Sequence, residues 1–257
     1  MFKWPGRQVL QLPDGTNIAY RRSAGKRPGV IFLGGFMSDM TGTKATTLEA
    51  WCRSHGQAFL RFDYSGHGAS SGRVEDGTIG RWSGEALAVL EQLAEGPQVL
   101  VGSSMGAWLM LLLALARPER VAGLVGVACA ADFTDYMIWR ELDEASRARL
   151  QRDGVIYLPS EYADESPYPI TMNFIEEARK HLLLDRQTLR IICPVRLLHG
   201  MRDASVPWRI SIQIAERLAS EDVKVVLLKD GEHRMSRESD LTLLTELLAE
   251  LVGGIRV

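Results

Sequence analysis

The stretch Gln98 to Ala116 constrains this chain more than any other, because it runs from a short apolar segment through two closely spaced glycines straight into a long apolar one. Gln98–Val101 reads as a strand buried on both faces, since continuous apolar runs suit a parallel sheet covered by helices. Ala107–Ala116 reads as a buried helix; it falls well short of the roughly 20 residues that a membrane span needs. Between them lies Gly102-Ser103-Ser104-Met105-Gly106. A sharp strand-to-helix turn crowds the positions two before and two after its central residue, so both must lack a Cβ. Gly102 and Gly106 stand in those places around Ser104, whereas Ser103 has no such pair. With Gly and Ser each near 7% of residues, the bare pattern arises by accident in about one chain in ten of this length. Its position between strand and helix is what makes it informative.

Around this turn the chain alternates. Eight β-like stretches are predicted: Gln8–Leu12, Asn17–Arg22, Gly29–Leu33, Ala58–Asp63, Gln98–Val101, Val121–Val127, Val195–His199 and Val223–Leu228. The first two flank the turn sequence Pro13-Asp14-Gly15-Thr16 and should pair as an antiparallel hairpin at one edge. Helices are predicted over Lys44–His55, Arg81–Ala94, Met105–Ala116, Trp208–Ala219 and Asp240–Val252. In the last, Leu244, Leu247, Leu248 and Leu251 recur at helical spacing. Such alternation implies an α/β fold: an eight-stranded, mostly parallel sheet with helices on both faces. The interval between Val127 and Val195 is far longer than one crossover helix requires. We therefore expect a core over residues 1–131, a helical cap over 132–190 inserted after the sixth strand, and the rest of the core over 191–257.

Composition narrows the chemistry. The 257 residues carry a formal net charge of −2 with 24% charged and 46% hydrophobic residues, which argues against disorder and against a polybasic surface for nucleic acid. The three cysteines form no CxxC pair, the histidines are scattered, and neither HExxH nor GxxxxGK[ST] occurs, so neither a metal site nor a phosphate-binding loop of that kind is expected. The start, MFKWPGRQVLQLPDG, shows neither a secretory nor a transit signal. No membrane span is expected, and oligomeric state is left open.

The turn around Ser104 lifts its hydroxyl off the sheet as a candidate nucleophile. A serine needs a base, and histidine titrates in the useful range. Of five histidines, His233 falls just after the last strand, where its loop can reach the edge from which Ser104 emerges. His199 closes the strand Val195–His199 and is read as a hydrogen-bonding prop for that strand end. His67, in Ser65-Gly66-His67-Gly68, is read as structural, and His55 and His181 as surface residues. The acid that orients the base should sit on an adjacent loop, which points to Asp203. Asp132, after the sixth strand, can also reach the histidine, and Asp230 suits the turn. For the developing oxyanion, the Met105 amide at the helix N-terminus supplies one donor. The loop Leu33-Gly34-Gly35-Phe36-Met37 supplies the second through the Phe36 amide. The order Ser104, Asp203, His233 is that of α/β-hydrolases.

Several longer stretches are more selective: RFDYSGHGASSG (Arg61–Gly72), LVGSSMGAWLMLLLALARPERV (Leu100–Val121), NFIEEARKHLLL (Asn173–Leu184), RLLHGMRDASVPW (Arg196–Trp208) and EHRM (Glu232–Met235). On these the chain resembles the branch of α/β-hydrolases formed by mitochondrial acyl-protein thioesterases that also cleave acyl glucuronides, with their bacterial relatives. The resemblance implies a capped sheet, no cofactor, and hydrolysis of acyl thioesters or carboxylic esters on small molecules or proteins. It also implies family roles for Ser104, Asp203 and His233, with Phe36 and Met105 as oxyanion donors. We assign Met37, Trp139, Met172, Phe174 and Ile175 to the substrate pocket. The alternatives are a general small-ester carboxylesterase, an acyl-glucuronide esterase, and a catalytically silent binding protein on the same fold. The mitochondrial members begin with a transit peptide that is not visible here, so a cytoplasmic setting is expected.

Overall fold

The structure is a computed structural model that describes residues 7–159 and 167–255. Residues 1–6, on which the reading of the amino terminus largely rests, and residues 160–166 of the expected cap lie outside the described residues.

Eight strands form one sheet: β1 Gln8–Gln11, β2 Asn17–Ser23, β3 Lys26–Leu33, β4 Gln57–Phe62, β5 Gln98–Ser103, β6 Val121–Val127, β9 Val195–Gly200 and β10 Val223–Leu228. Their order across the sheet is β1-β2-β4-β3-β5-β6-β9-β10. The pairings of β2 with β1 and with β4 are antiparallel, and from β4 onward every pairing is parallel. The Pro13 to Thr16 turn makes the edge hairpin, closed by the Thr16 amide on the Asp14 carboxylate at 2.9 Å.

The wholly buried strands explain their continuous apolar runs. Successive side chains point to opposite faces, so Val30, Phe32, Val99 and Val101 face α1 (Thr43–Ser54) and α7 (Glu238–Gly254). Ile31, Leu33 and Leu100 face α2 (Ile79–Leu93) and α3 (Met105–Ala116) on the other side. The predicted leucine stripe of α7 lands as expected, with Leu244, Leu247, Leu248 and Leu251 all buried. α6 (Arg209–Arg217) lies between β9 and β10 in the chain and buries Ile210, Ser211 and Ile214. No helix among the described residues is long and apolar enough to cross a membrane.

Residues 128–194 leave the sheet after β6 and return before β9. They hold a wide helical turn, Thr134–Trp139, then α4 (Glu144–Asp153), the strand pair β7 (Val155–Leu158) and β8 (Tyr168–Thr171), and α5 (Met172–Ala178). The sequence reading anticipates only helical pieces here. Four-residue segments such as VIYL and YPIT are too short for their periodicity to distinguish strand from helix. Side-chain caps set the helix starts: Asp143 accepts from the Ser146 amide at 2.6 Å and Thr171 from that of Phe174 at 3.0 Å. Two bonds to the body help hold the insert: the Glu177 carboxylate accepts the Gly80 amide at the start of α2 at 3.0 Å, and the Trp108 indole donates to the His181 carbonyl at 3.1 Å. Within the insert, Asp132 accepts the Leu183 and Leu184 amides at 2.9 and 2.7 Å, joining its two ends.

Candidate active site

Ser104 occupies the single residue between β5 and α3, with φ 54° and ψ −120°. A non-glycine residue in this region is strained, and its neighbours must overdetermine it. They do: the Ser104 amide donates to the Val127 carbonyl at 2.9 Å, and its own carbonyl accepts from Ala107 at 3.0 Å and Ala130 at 3.3 Å. The two glycines are required by close approach. A Cβ at Gly102 would lie 2.6 Å from the Ala107 Cα, and one at Gly106 would collide with the Leu33 and Gly34 carbonyl oxygens. Although Ser104 precedes the helix, its side chain makes no cap bond to it. The hydroxyl is left to meet Nε2 of His233 at 3.1 Å.

His233 hangs from the loop after β10 and is partly buried. Its Nδ1 lies 2.8 Å from Oδ2 of Asp203, on the loop after β9. The side chain of Asp203 is fully buried, and its Oδ1 accepts the Val206 amide at 2.7 Å. Burial alone would raise this carboxyl, but donors from His199 and His233 outweigh it and hold the group down at about 2. An ionised Asp203 can only accept, so the proton of the neutral His233 ring sits on Nδ1. Nε2 is then free to take a proton from the Ser104 hydroxyl.

The glycine loop after β3 lies against the same corner, with a Cβ on Gly35 reaching to 3.4 Å from that of Ser104. Met105 opens α3, so its amide has no partner within the helix, and the Phe36 amide has no acceptor among the described residues. The next residue, Met37, is at φ 59° and donates its amide to Nε2 of His67 at 3.1 Å. Nδ1 of His67 lies 3.1 Å from the Ser65 carbonyl, which can only accept, so that nitrogen carries the proton. Burial pushes the His67 imidazole down from its ordinary value and keeps Nε2 an acceptor. The buried Asp63 accepts the Met40 amide at 2.6 Å and the Ala69 amide at 2.8 Å, tying the glycine loop to the His67 loop.

Not all of the sequence-assigned pocket residues gather here. Phe174 does: its ring stacks on Phe36 with centroids 5.5 Å apart. Met37, next to Phe36 in the chain, is exposed, and Met172 is half-buried at the start of α5. Ile175 is fully buried in the main core, and Trp139 has the guanidinium groups of Arg147 and Arg179 at 5.6 and 5.0 Å from its ring centroid. Asp132, the rival acid, spends its carboxylate on the Leu183 and Leu184 amides. Sequence reasoning did not single out Phe133 and Trp82, whose rings lie 6.2 and 5.8 Å from that of Phe36. The available signal for Phe133 was its place directly after Asp132 on the segment that follows β6. Among the described residues no three His, Cys, Asp or Glu side chains gather as metal ligands.

Comparison with known proteins identifies the family. The model of a family described as the alpha/beta hydrolase family matches residues 30–243. The Homo sapiens protein named "Palmitoyl-protein thioesterase ABHD10, mitochondrial" is 46% identical over 246 residues, which cover 96% of this chain and 80% of that one. The solved structure of alpha/beta hydrolase domain-containing protein 10 from mouse superimposes with a TM-score of 0.90 at 44% identity, covering 97% of this chain and 99% of that chain. A putative hydrolase from Agrobacterium vitis S4 gives 0.91 at 38% identity, covering 96% and 98%. The mammalian relatives are named as mitochondrial proteins, which overturns the expectation of a cytoplasmic setting. That expectation rested on the sparse, unpaired cysteines and on the reading of the first residues. Fold, matched residues and relatives agree: the chain is a hydrolase and belongs to the alpha/beta hydrolase family.

Proposed function

We propose that Ser104, His233 and Asp203 form the catalytic triad of an acyl hydrolase acting on thioesters or carboxylic esters, with the Phe36 and Met105 amides as the oxyanion donors. The observation that carries this reading is the unbroken line from the Ser104 hydroxyl to His233 at 3.1 Å and on to Asp203 at 2.8 Å. Ser104 attacks the acyl carbonyl while His233 takes its proton; the oxygen gains negative charge between two amides already in place. His233 then returns the proton to the leaving thiol or alcohol, and water repeats the cycle on the acyl-serine. This chemistry calls for no metal or organic cofactor. Residues 132–190 act as a cap over the site, presenting Phe174 to the oxyanion loop. The mammalian relatives are named palmitoyl-protein thioesterases, which supports an acyl thioester, free or protein-linked, as the substrate class.

A smaller oxygen ester is the second reading, favoured by the rings of Phe133, Phe174, Tyr168 and Trp82 that surround Phe36 within 5.5 to 6.2 Å. Acyl-chain length separates the two. Each methylene buried in a lipid-accepting site contributes about 0.8 kcal/mol, or roughly fourfold in kcat/KM, whereas a small pocket reverses the trend. The triad itself is tested by fluorophosphonate labelling and by Ser104→Ala, which should abolish both labelling and turnover of acyl-CoA and p-nitrophenyl esters. Wild-type turnover in that variant would refute the assignment.

A further inference from the structure

The acid of the proposed triad has two histidines on one oxygen. Oδ2 of Asp203 lies 2.8 Å from Nδ1 of His233 and 3.1 Å from Nε2 of His199. His199, the penultimate residue of β9 and four residues before Asp203, is completely buried. Its Nε2 also faces the Val206 carbonyl at 3.1 Å, and its Nδ1 lies 2.7 Å from the hydroxyl of Ser211, itself fully buried on α6. Both neighbours of Nε2, a carboxylate and a carbonyl, can only accept, so that nitrogen carries a proton. Turning the ring over would put Cε1 in the place of Nε2 and leave both oxygens without that N–H donor. A merely structural strand-end histidine would need only the Val206 and Ser211 contacts.

We infer that His199 is a positioning residue for the reaction: its Nε2–H fixes the plane of the Asp203 carboxylate and takes up part of its charge, and so sets how strongly the acid holds the base. The inference rests on the triad reading above. Physically, an oxygen that accepts from two donors binds each less strongly than it would bind one. With His199 in place, Asp203 orients His233 without making its protonated form too stable to release a proton to the leaving group. Without that second donor, the carboxylate bears wholly on His233, the imidazolium is favoured, and more alkaline conditions are needed to free the base. The other titratable groups around this corner are few. The Cys129 thiol beside Ser211 is pushed up to about 12 by burial and stays protonated. On the outer side of the His233 loop, the Lys44 ammonium donates to the Arg234 carbonyl, near Arg234 and Asp240.

The test compares His199→Phe, which keeps a ring but has no donor, with His199→Gln, whose amide can donate to Asp203 and accept from Ser211. The readout is the pH dependence of kcat/KM on a p-nitrophenyl ester, with kcat and KM resolved. In the Phe variant the acid limb should move up by about one pH unit. Its kcat should fall about tenfold to a hundredfold at little change in KM. The Gln variant should return both toward wild type. A limb that stays in place in the Phe variant, or moves equally in the Gln variant, overturns the inference. If the Phe variant does not fold, Ser211→Ala removes the anchor on the far ring nitrogen and should shift the limb the same way by less; an unmoved limb there is equally fatal. Inactive Ser104→Ala alongside a normal His199→Phe would refute only the role of His199, whereas active Ser104→Ala would refute the triad itself.

Discussion

The Met37 amide and Nε2 of His67 are 3.1 Å apart, and this bond links the loop carrying the Phe36 amide to the loop after β4. A positive φ at Met37 leaves the loop no relaxed fallback once that acceptor is gone. His67→Leu should therefore lower kcat, by up to about a hundredfold, with KM nearly unchanged, because loosening a donor costs no more than removing one. His67→Gln, which retains an acceptor, should recover most of the loss in steady-state kinetics.

Gly106 sits where a methyl group would strike the backbone of Leu33 and Gly34. Neither carbonyl can yield without displacing the loop that carries Phe36. Gly106→Ala should cost about 3 kcal/mol or more in denaturant unfolding and remove activity.

Asp203→Asn exchanges an acceptor-only group for one that can donate to His233 and so favours the wrong ring tautomer. Turnover should fall by about 10⁴, with binding of a substrate analogue retained on calorimetry. The same carboxyl is depressed to about 2, so its contribution to stability is present above the ordinary aspartate range and is lost as pH falls toward 2.

Asp132 has the opposite sign. Burial raises its carboxyl to about 6 despite the Leu183 and Leu184 amides. Its native form holds a proton that the unfolded chain has already lost, so its contribution is complete below about pH 4 and disappears as pH rises through 6, at most about 3 kcal/mol. Thermal melts at pH 5 and 7.5 should fall less with rising pH in Asp132→Asn than in the wild type. An identical pH dependence would contradict the raised value.

Phe174→Ala should enlarge the space against Phe36 and raise kcat/KM for longer acyl chains relative to acetyl. It should also lower stability by about 3–5 kcal/mol, because the ring is almost wholly buried. A reduced Tm with an unchanged chain-length profile would place the substrate elsewhere.

The sheet was legible because its central strands are short apolar runs, and strands such as Val121–Val127 and Val223–Leu228 end where the sequence places them. Ser104 was legible through steric need, since only glycine fits at Gly102 and Gly106. The insert was less so. Its strand pair is too short to carry a period, and the orientation of Trp139 and Ile175 depends on packing between distant segments that no local pattern records. The second contact of His199 was hidden for a related reason. Its place at a strand end suggested a prop, and only three-dimensional proximity turns the same nitrogen toward Asp203.

The stacking of Phe174 on Phe36 makes the doorway and the clamp one mechanical unit. Any displacement of α5 would therefore unstack the ring of the residue whose backbone N–H is proposed to meet the reacting oxygen. Under that proposal admission and readiness would compete, and a substrate would react fastest when its own tail takes the place of the displaced phenyl ring.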